Sequence, residues 1–148
     1  KESAGQQFMA ESASLSWLQL ILIEIMRYAN NQQVTTSYRS TDVNVFNQFS
    51  GLIEENYRSH WALPQYAEHI GLTTSRLNDI CRRVSGLSSK RLITDRIMQE
   101  ARRMLLLTAM SISEVGYELG FTDPAYFARF FRKNAGITAS AFREKGRD

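Results

Sequence analysis

This chain of 148 residues has one cysteine, two prolines and two histidines, so it is poor in the residues that staple, kink or ligate. A single thiol, Cys81, builds neither a disulfide framework nor a multi-cysteine zinc site, and suits a reducing compartment, so a cytoplasmic location is expected. His60 and His69 have no neighbouring ligand cluster, which argues against a metal or other cofactor. No pairing of Ser, Cys, His and Asp suggests an activated nucleophile, and an enzyme is not expected. Two prolines beside eight glycines exclude collagen-like and proline-rich classes. Long apolar runs are missing too. The most apolar stretch, Trp17 to Met26, is broken by Gln19 and Glu24 and falls far short of the roughly 20 residues of a membrane span. It also lacks the basic leader and cleavage site of a signal peptide. Period-two alternation never persists, which leaves an all-α class.

The composition that remains is globular, 43% hydrophobic and 22% charged. A chain of this size buries roughly 70% of its unfolded surface, enough for a real core. The net charge of +3 is unevenly placed. Residues 1–61 carry four basic and six acidic side chains; residues 62–148 carry fourteen and nine. Eleven of those fourteen are arginines, whose guanidinium forks match phosphate edges. On charge alone, a solvated basic face fits equally well. The chain begins at Lys1 rather than Met, so its natural beginning is expected upstream.

The first helix is expected over residues 8–30. Leu15, Leu18, Leu22, Ile25 and Ala29 form a stripe, which Trp17, Leu20, Ile21 and Ile23 widen to most of the circumference. Such a helix needs cover, either the same helix of a second chain or a fold-back onto Phe46, Phe49 and Tyr57; the 3–4 spacing favours a homodimer. Residues 31–42 read as a polar linker. A second helix is expected from Asp42 as N-cap, with Phe46, Phe49, Ile53 and Tyr57 on one face. The segment from His60 to Pro64 interrupts it. Further short helices follow, opened by Pro64, by a Ser111/Glu114 capping box and by Asp123-Pro124.

An internal repeat organises this second part. At an offset of 49, Leu63, Tyr66, Ala67, Ile70, Gly71 and Leu72 match Ile112, Val115, Gly116, Leu119, Gly120 and Phe121. After one inserted residue, Leu77, Ile80, Cys81, Arg82, Arg83 and Gly86 match Phe127, Phe130, Phe131, Arg132, Lys133 and Gly136. Each copy reads as a short helix, a tight turn at Gly71 or Gly120, and a second helix ending in a basic pair. The inner face of that second helix is expected at Leu77, Ile80, Cys81 and Val84, and at Phe127, Phe130 and Phe131. This is the layout of a helix-turn-helix, whose second helix enters a DNA major groove. Between the copies, a helix over residues 89–108 buries Ile93, Ile97, Ala101, Met104 and Leu105. Its length, about 30 Å, approaches the roughly 34 Å between successive major grooves.

The segment SISEVGYELGFTDPAYFARFFRKNAGITASAFR, from Ser111 to Arg143, and the preceding RIMQEARRMLL, from Arg96 to Leu106, resemble the AraC/XylS family of bacterial transcription regulators. The resemblance covers residues 43–148. It implies two helix-turn-helix units on a long central helix, binding double-stranded promoter DNA, usually to activate transcription. RNA polymerase is then an expected partner. Residues 1–41 are expected to be a linker and dimerisation helix left from an upstream sensor region, through which a small-molecule effector would act, and residues 42–148 the DNA-binding domain. The resemblance places Ser75, Asn78 and Asp79 of the first copy, and Ala125, Tyr126 and Arg129 of the second, against bases. It places Arg82, Arg132 and Lys133 near phosphates. Asp79 departs from many relatives; its carboxylate accepts from cytosine or pairs with a neighbouring arginine. A helical protein–protein module is the alternative reading, but it gives no reason for a basic pair closing both second helices.

Overall fold

A computed structural model of the chain describes residues 37–146. Residues 8–30, with their expected dimer helix, lie outside the described residues. From Thr41 onward the described residues form one compact unit. The described residues are helical throughout: α1 (Ser37–Asn56), a 3-10 turn (Tyr57–Ser59), α2 (Leu63–Ile70), α3 (Thr74–Ser85), α4 (Ser89–Leu107), α5 (Ile112–Glu118), α6 (Pro124–Ala135) and α7 (Ala139–Lys145). No strand occurs among them, as the all-α reading requires.

The repeat is visible in the hydrogen bonds of its turns. In copy one, α2 ends with Gly71 N–H donating to Glu68 C=O at 3.0 Å and Leu72 N–H to Ala67 C=O at 2.9 Å. In copy two, Gly120 N–H donates to Tyr117 C=O at 2.9 Å and Phe121 N–H to Gly116 C=O at 3.0 Å. Both glycines are left-handed, with φ of 75° and 83°, as such helix ends favour. The inserted residue changes the next cap. Thr73 caps α3 by accepting from Arg76 N–H, whereas Asp123 caps α6 by accepting from Ala125 N–H, with Pro124 in the first turn. The Ser111/Glu114 capping box opens α5 as expected.

Central helix α4 packs against α3 of the first copy and against α5 and α6 of the second. Its 19 residues span about 28 Å. Ile97, Ala101, Met104 and Leu105 are buried, as is Met98, while Ile93 is half-buried. Around it lie Phe49, Ile53 and Tyr57 from α1 and the adjoining turn, Leu77 and Cys81 from α3, and Phe127 and Phe131 from α6. Gly116 allows the second copy to close: a Cβ there would stand 3.1 Å from that of Phe127.

Two local expectations need correction. Asp42 does not cap a helix, because α1 already runs from Ser37 and residues 37–42 are helix rather than linker. Its carboxylate turns across to α3, where it accepts from Arg83 Nε at 3.0 Å and pairs with Arg83 Nη2 at 2.9 Å and Arg76 at 3.8 Å. Two guanidinium groups replace the backbone N–H groups a cap would have used. Val84 is not part of the inner face; it is 37% exposed on the last turn of α3, where the chain leaves the core for Gly86.

Candidate nucleic-acid interface

Helix α3 buries Leu77, Ile80 and Cys81 and exposes Ser75, Asp79 and Arg82 on the opposite side. Their spacing of i, i+4 and i+7 puts the three exposed residues on one face. Burial also pushes the Cys81 thiol up to about 11, so it remains a neutral core group. Asp79 makes no ion pair with the other described residues.

Asn78 stands apart from its neighbours. It is half-buried on the flank of α3. Its Oδ1 accepts from the backbone N–H of Ser89 at 3.1 Å and from the Ser89 hydroxyl at 3.2 Å. It thereby satisfies the first turn of α4, and Ser89 is completely buried. In copy two, the equivalent pair is Ala128 and Ala139, so a polar contact is replaced by an apolar one.

Helix α6 buries Phe127 and Phe131, half-buries Phe130, and exposes Ala125, Tyr126, Arg129, Arg132 and Lys133 over a contiguous sector. Tyr126 rests one side of its ring toward Phe121, at 5.7 Å between centroids, and keeps the rest in solvent. Arg129 makes only a loose, exposed pair with Asp123 at 3.6 Å, which holds it weakly.

Sequence reasoning missed the surface joining the two copies. Lys90, Arg91 and Thr94 on the first turns of α4 face Tyr126, Arg129 and Lys133 of α6 across an open cleft of about 490 Å³. Four cationic side chains thus line one depression beside the exposed sector of α6. The signal was the Lys90-Arg91 pair two residues after the Ser88 cap, but only the packing of α4 on α6 shows what it faces. Arg91 is partly neutralised by Asp95 at 2.9 Å.

Further along α4 a second charged network ties the central helix to α1. Glu100 is only 7% exposed and accepts from Arg103 Nη2 at 2.6 Å and from Arg96 Nη1 at 3.4 Å. Arg96 also lies 4.2 Å over the Tyr57 ring and is paired with Glu54, with Nη2 to Oε1 at 2.6 Å. Hydrogen bonds from Arg103, then the charges of Arg103 and Arg96, hold the Glu100 carboxyl below its ordinary value despite burial. Among the described residues, no group of three or more His, Cys, Asp or Glu is placed to hold a metal, and no helix is long and apolar enough to cross a membrane.

Residues 66–145 match a family model described as a helix-turn-helix domain. The chain is similar to the arabinose operon regulatory protein of Salmonella typhimurium, at 36% identity over 85 residues, covering 57% of this chain and 30% of that protein. It is similar to the virulence regulon transcriptional activator VirF of Yersinia enterocolitica, at 32% identity over 91 residues, covering 62% and 34%. The matched segment therefore spans about a third of these relatives' lengths. Among solved structures, the C-terminal domain of the response regulator yesN from Fusobacterium nucleatum superposes with a TM-score of 0.62 at 27% identity, covering 68% of this chain and 98% of that one. The DNA-binding domain of AdpA, solved with a target DNA, has a TM-score of 0.61 at 18% identity, covering 70% and 92%, and shares the fold.

Proposed function

The chain belongs to the AraC-type helix-turn-helix domain family, and from that premise we propose that it recognises promoter sequences and activates transcription through two reading helices, α3 and α6. One observation carries the reading. The exposed sectors of α3 and α6 occupy equivalent places in two copies of one motif, and both copies are built on the same central helix. An α4 of about 28 Å suits heads that enter successive major grooves about 34 Å apart on one face of the duplex.

In this reading, Ser75 and Asp79 of α3, with Ala125, Tyr126 and Arg129 of α6, face bases. Arg82, Arg132 and Lys133 lie toward phosphates. Asn78 serves first as an internal contact to Ser89, leaving only its amide NH₂ for DNA. An arginine such as Arg129 suits the two acceptors of a guanine edge. The module acts by binding, and no catalytic role belongs to the reading. RNA polymerase, a homodimer through residues 8–30, and a small-molecule effector acting through an upstream region are the further partners, each supported by the family resemblance.

The test is selection of duplexes from a randomised pool by the full chain, followed by footprinting. Protection of two adjacent major grooves on one face supports the reading. A pool that never converges on a shared sequence, or protection of a single groove, contradicts it.

A further inference from the structure

His60 is the only non-glycine residue with positive φ among the described residues, at φ 50° and ψ 41°. A side chain in the left-handed region is disfavoured unless its surroundings hold it there. Two contacts hold this one. Nε2 lies 2.9 Å from the Leu119 carbonyl, to which the Nε2–H tautomer donates. The ring also meets Phe121 edge-on at 4.5 Å. Leu119 and Phe121 flank Gly120, the turn of the second helix-turn-helix.

The very next residue grips the first copy. Trp61 packs on Tyr66 at 5.4 Å and on His69 at 5.1 Å, both in α2. Adjacent residues therefore hold opposite heads, and the cleft between them, about 750 Å³, is lined by His60 and Trp61 together with Lys90, Thr94 and Tyr126.

Gly120 carries a further mark of this contact. A Cβ there would lie 1.8 Å from the Arg58 carbonyl oxygen. Gly71, its equivalent in copy one, has nearly the same φ yet nothing within 4 Å. Both turns need a left-handed residue, but only the second needs an absent side chain.

We infer that the 58–61 segment is a strut between the two reading heads, with His60 and Gly120 as positioning residues that set the half-site spacing the protein accepts. The inference rests on the DNA-binding reading above. Helix α4 joins the heads along one line, and a single line of attachment leaves rotation about it. The strut adds a second attachment, from Trp61 on α2 to His60 on the Gly120 turn, and removes that freedom. A rigid pair of heads binds its second half-site at an effective concentration that a wrong spacing forfeits.

The experiment uses the full chain and a duplex it selects from a randomised pool. Companion duplexes carry one inserted base pair between the protected grooves, or one scrambled half-site. The wild type is expected to prefer the selected spacing by about tenfold or more. His60→Gly removes the ring while the left-handed backbone stays comfortable. It should reduce the spacing preference to about twofold and leave affinity for the half-scrambled duplex unchanged. Gly120→Ala should act in the same direction. Gly71→Ala meets the same backbone strain in open space, so it should lower Tm and keep the spacing preference. A sharp preference surviving in His60→Gly, or equal loss on the full and half-scrambled duplexes, overturns the strut. A wild type that selects no duplex overturns the DNA-binding reading and the strut's role with it.

Discussion

Asn78 Oδ1 accepts two hydrogen bonds from Ser89, one from its backbone N–H and one from its hydroxyl, and so joins α3 to the start of the central helix α4. Removing the acceptor alone leaves two buried donors unpaired. Asn78→Ala is therefore expected to destabilise the fold by about 1–3 kcal/mol. The double change Asn78→Ala with Ser89→Ala reproduces the Ala128/Ala139 pair of the second copy and should recover part of that loss. Urea unfolding of the three variants measures this; a double variant no more stable than Asn78→Ala would contradict the account.

Glu100 gives the fold an acid-sensitive point. Its folded pKa lies below the ordinary 4.5, so the folded state holds its proton less tightly than the unfolded one. The stability this contributes is complete above the ordinary value and is lost as pH falls through the lowered one. Wild type should therefore lose more stability than Glu100→Gln between about pH 5 and pH 3. Parallel stability–pH curves for the two proteins would show that Glu100 contributes nothing there.

Tyr66 is fully buried, yet its hydroxyl has no hydrogen-bond partner among the described residues. Burial accordingly raises its pKa. An unpaired polar group in a core costs free energy, whereas the ring itself packs edge-on against Phe49 at 5.5 Å. Tyr66→Phe keeps the ring and removes the hydroxyl. Its expected effect is a gain in stability of up to about 1–2 kcal/mol, read from the shift in Tm.

In the proposed reading, Arg129 specifies bases whereas the helix-end cations Arg82 and Lys133 position the backbone. Arg129→Ala should relax preference at one or two base pairs, at a cost of about 1–3 kcal/mol on the preferred site. Arg82→Ala and Lys133→Ala should weaken all sequences alike and shallow the salt dependence by about one contact each. Binding arrays over single-base variants of the selected site separate the two classes. Uniform weakening by Arg129→Ala would remove it from the reading set.

Features that depend on a few consecutive residues were legible in the sequence. The Gly71 and Gly120 turns, the Ser111/Glu114 box and the Asp123-Pro124 cap each follow from chemistry within about five positions. Repetition then revealed the pair of helix-turn-helix units, because each local pattern occurred twice. Asp42 misled because a carboxylate after polar residues looks like a cap, while its partner Arg83 is 41 positions away. Glu100 was hidden because burying it requires Arg96 and Arg103 to fold around it. Asn78 lies on the flank of the exposed face, and only the position of Ser89 shows where its oxygen goes. The His60 contact was unreadable for the same reason: it joins residues 59 positions apart, and the motif around Gly120 explains that glycine without it.

The most direct test of sequence-specific recognition is equilibrium binding of the full chain to its selected duplex and to a scrambled duplex of equal composition, followed across salt by fluorescence anisotropy. The account predicts at least about a thousandfold preference for the selected duplex. It also predicts a log–log salt slope of about −5 to −9, as roughly 6–10 phosphate contacts would give. Equal affinity for the two duplexes, or binding indifferent to salt, would contradict it.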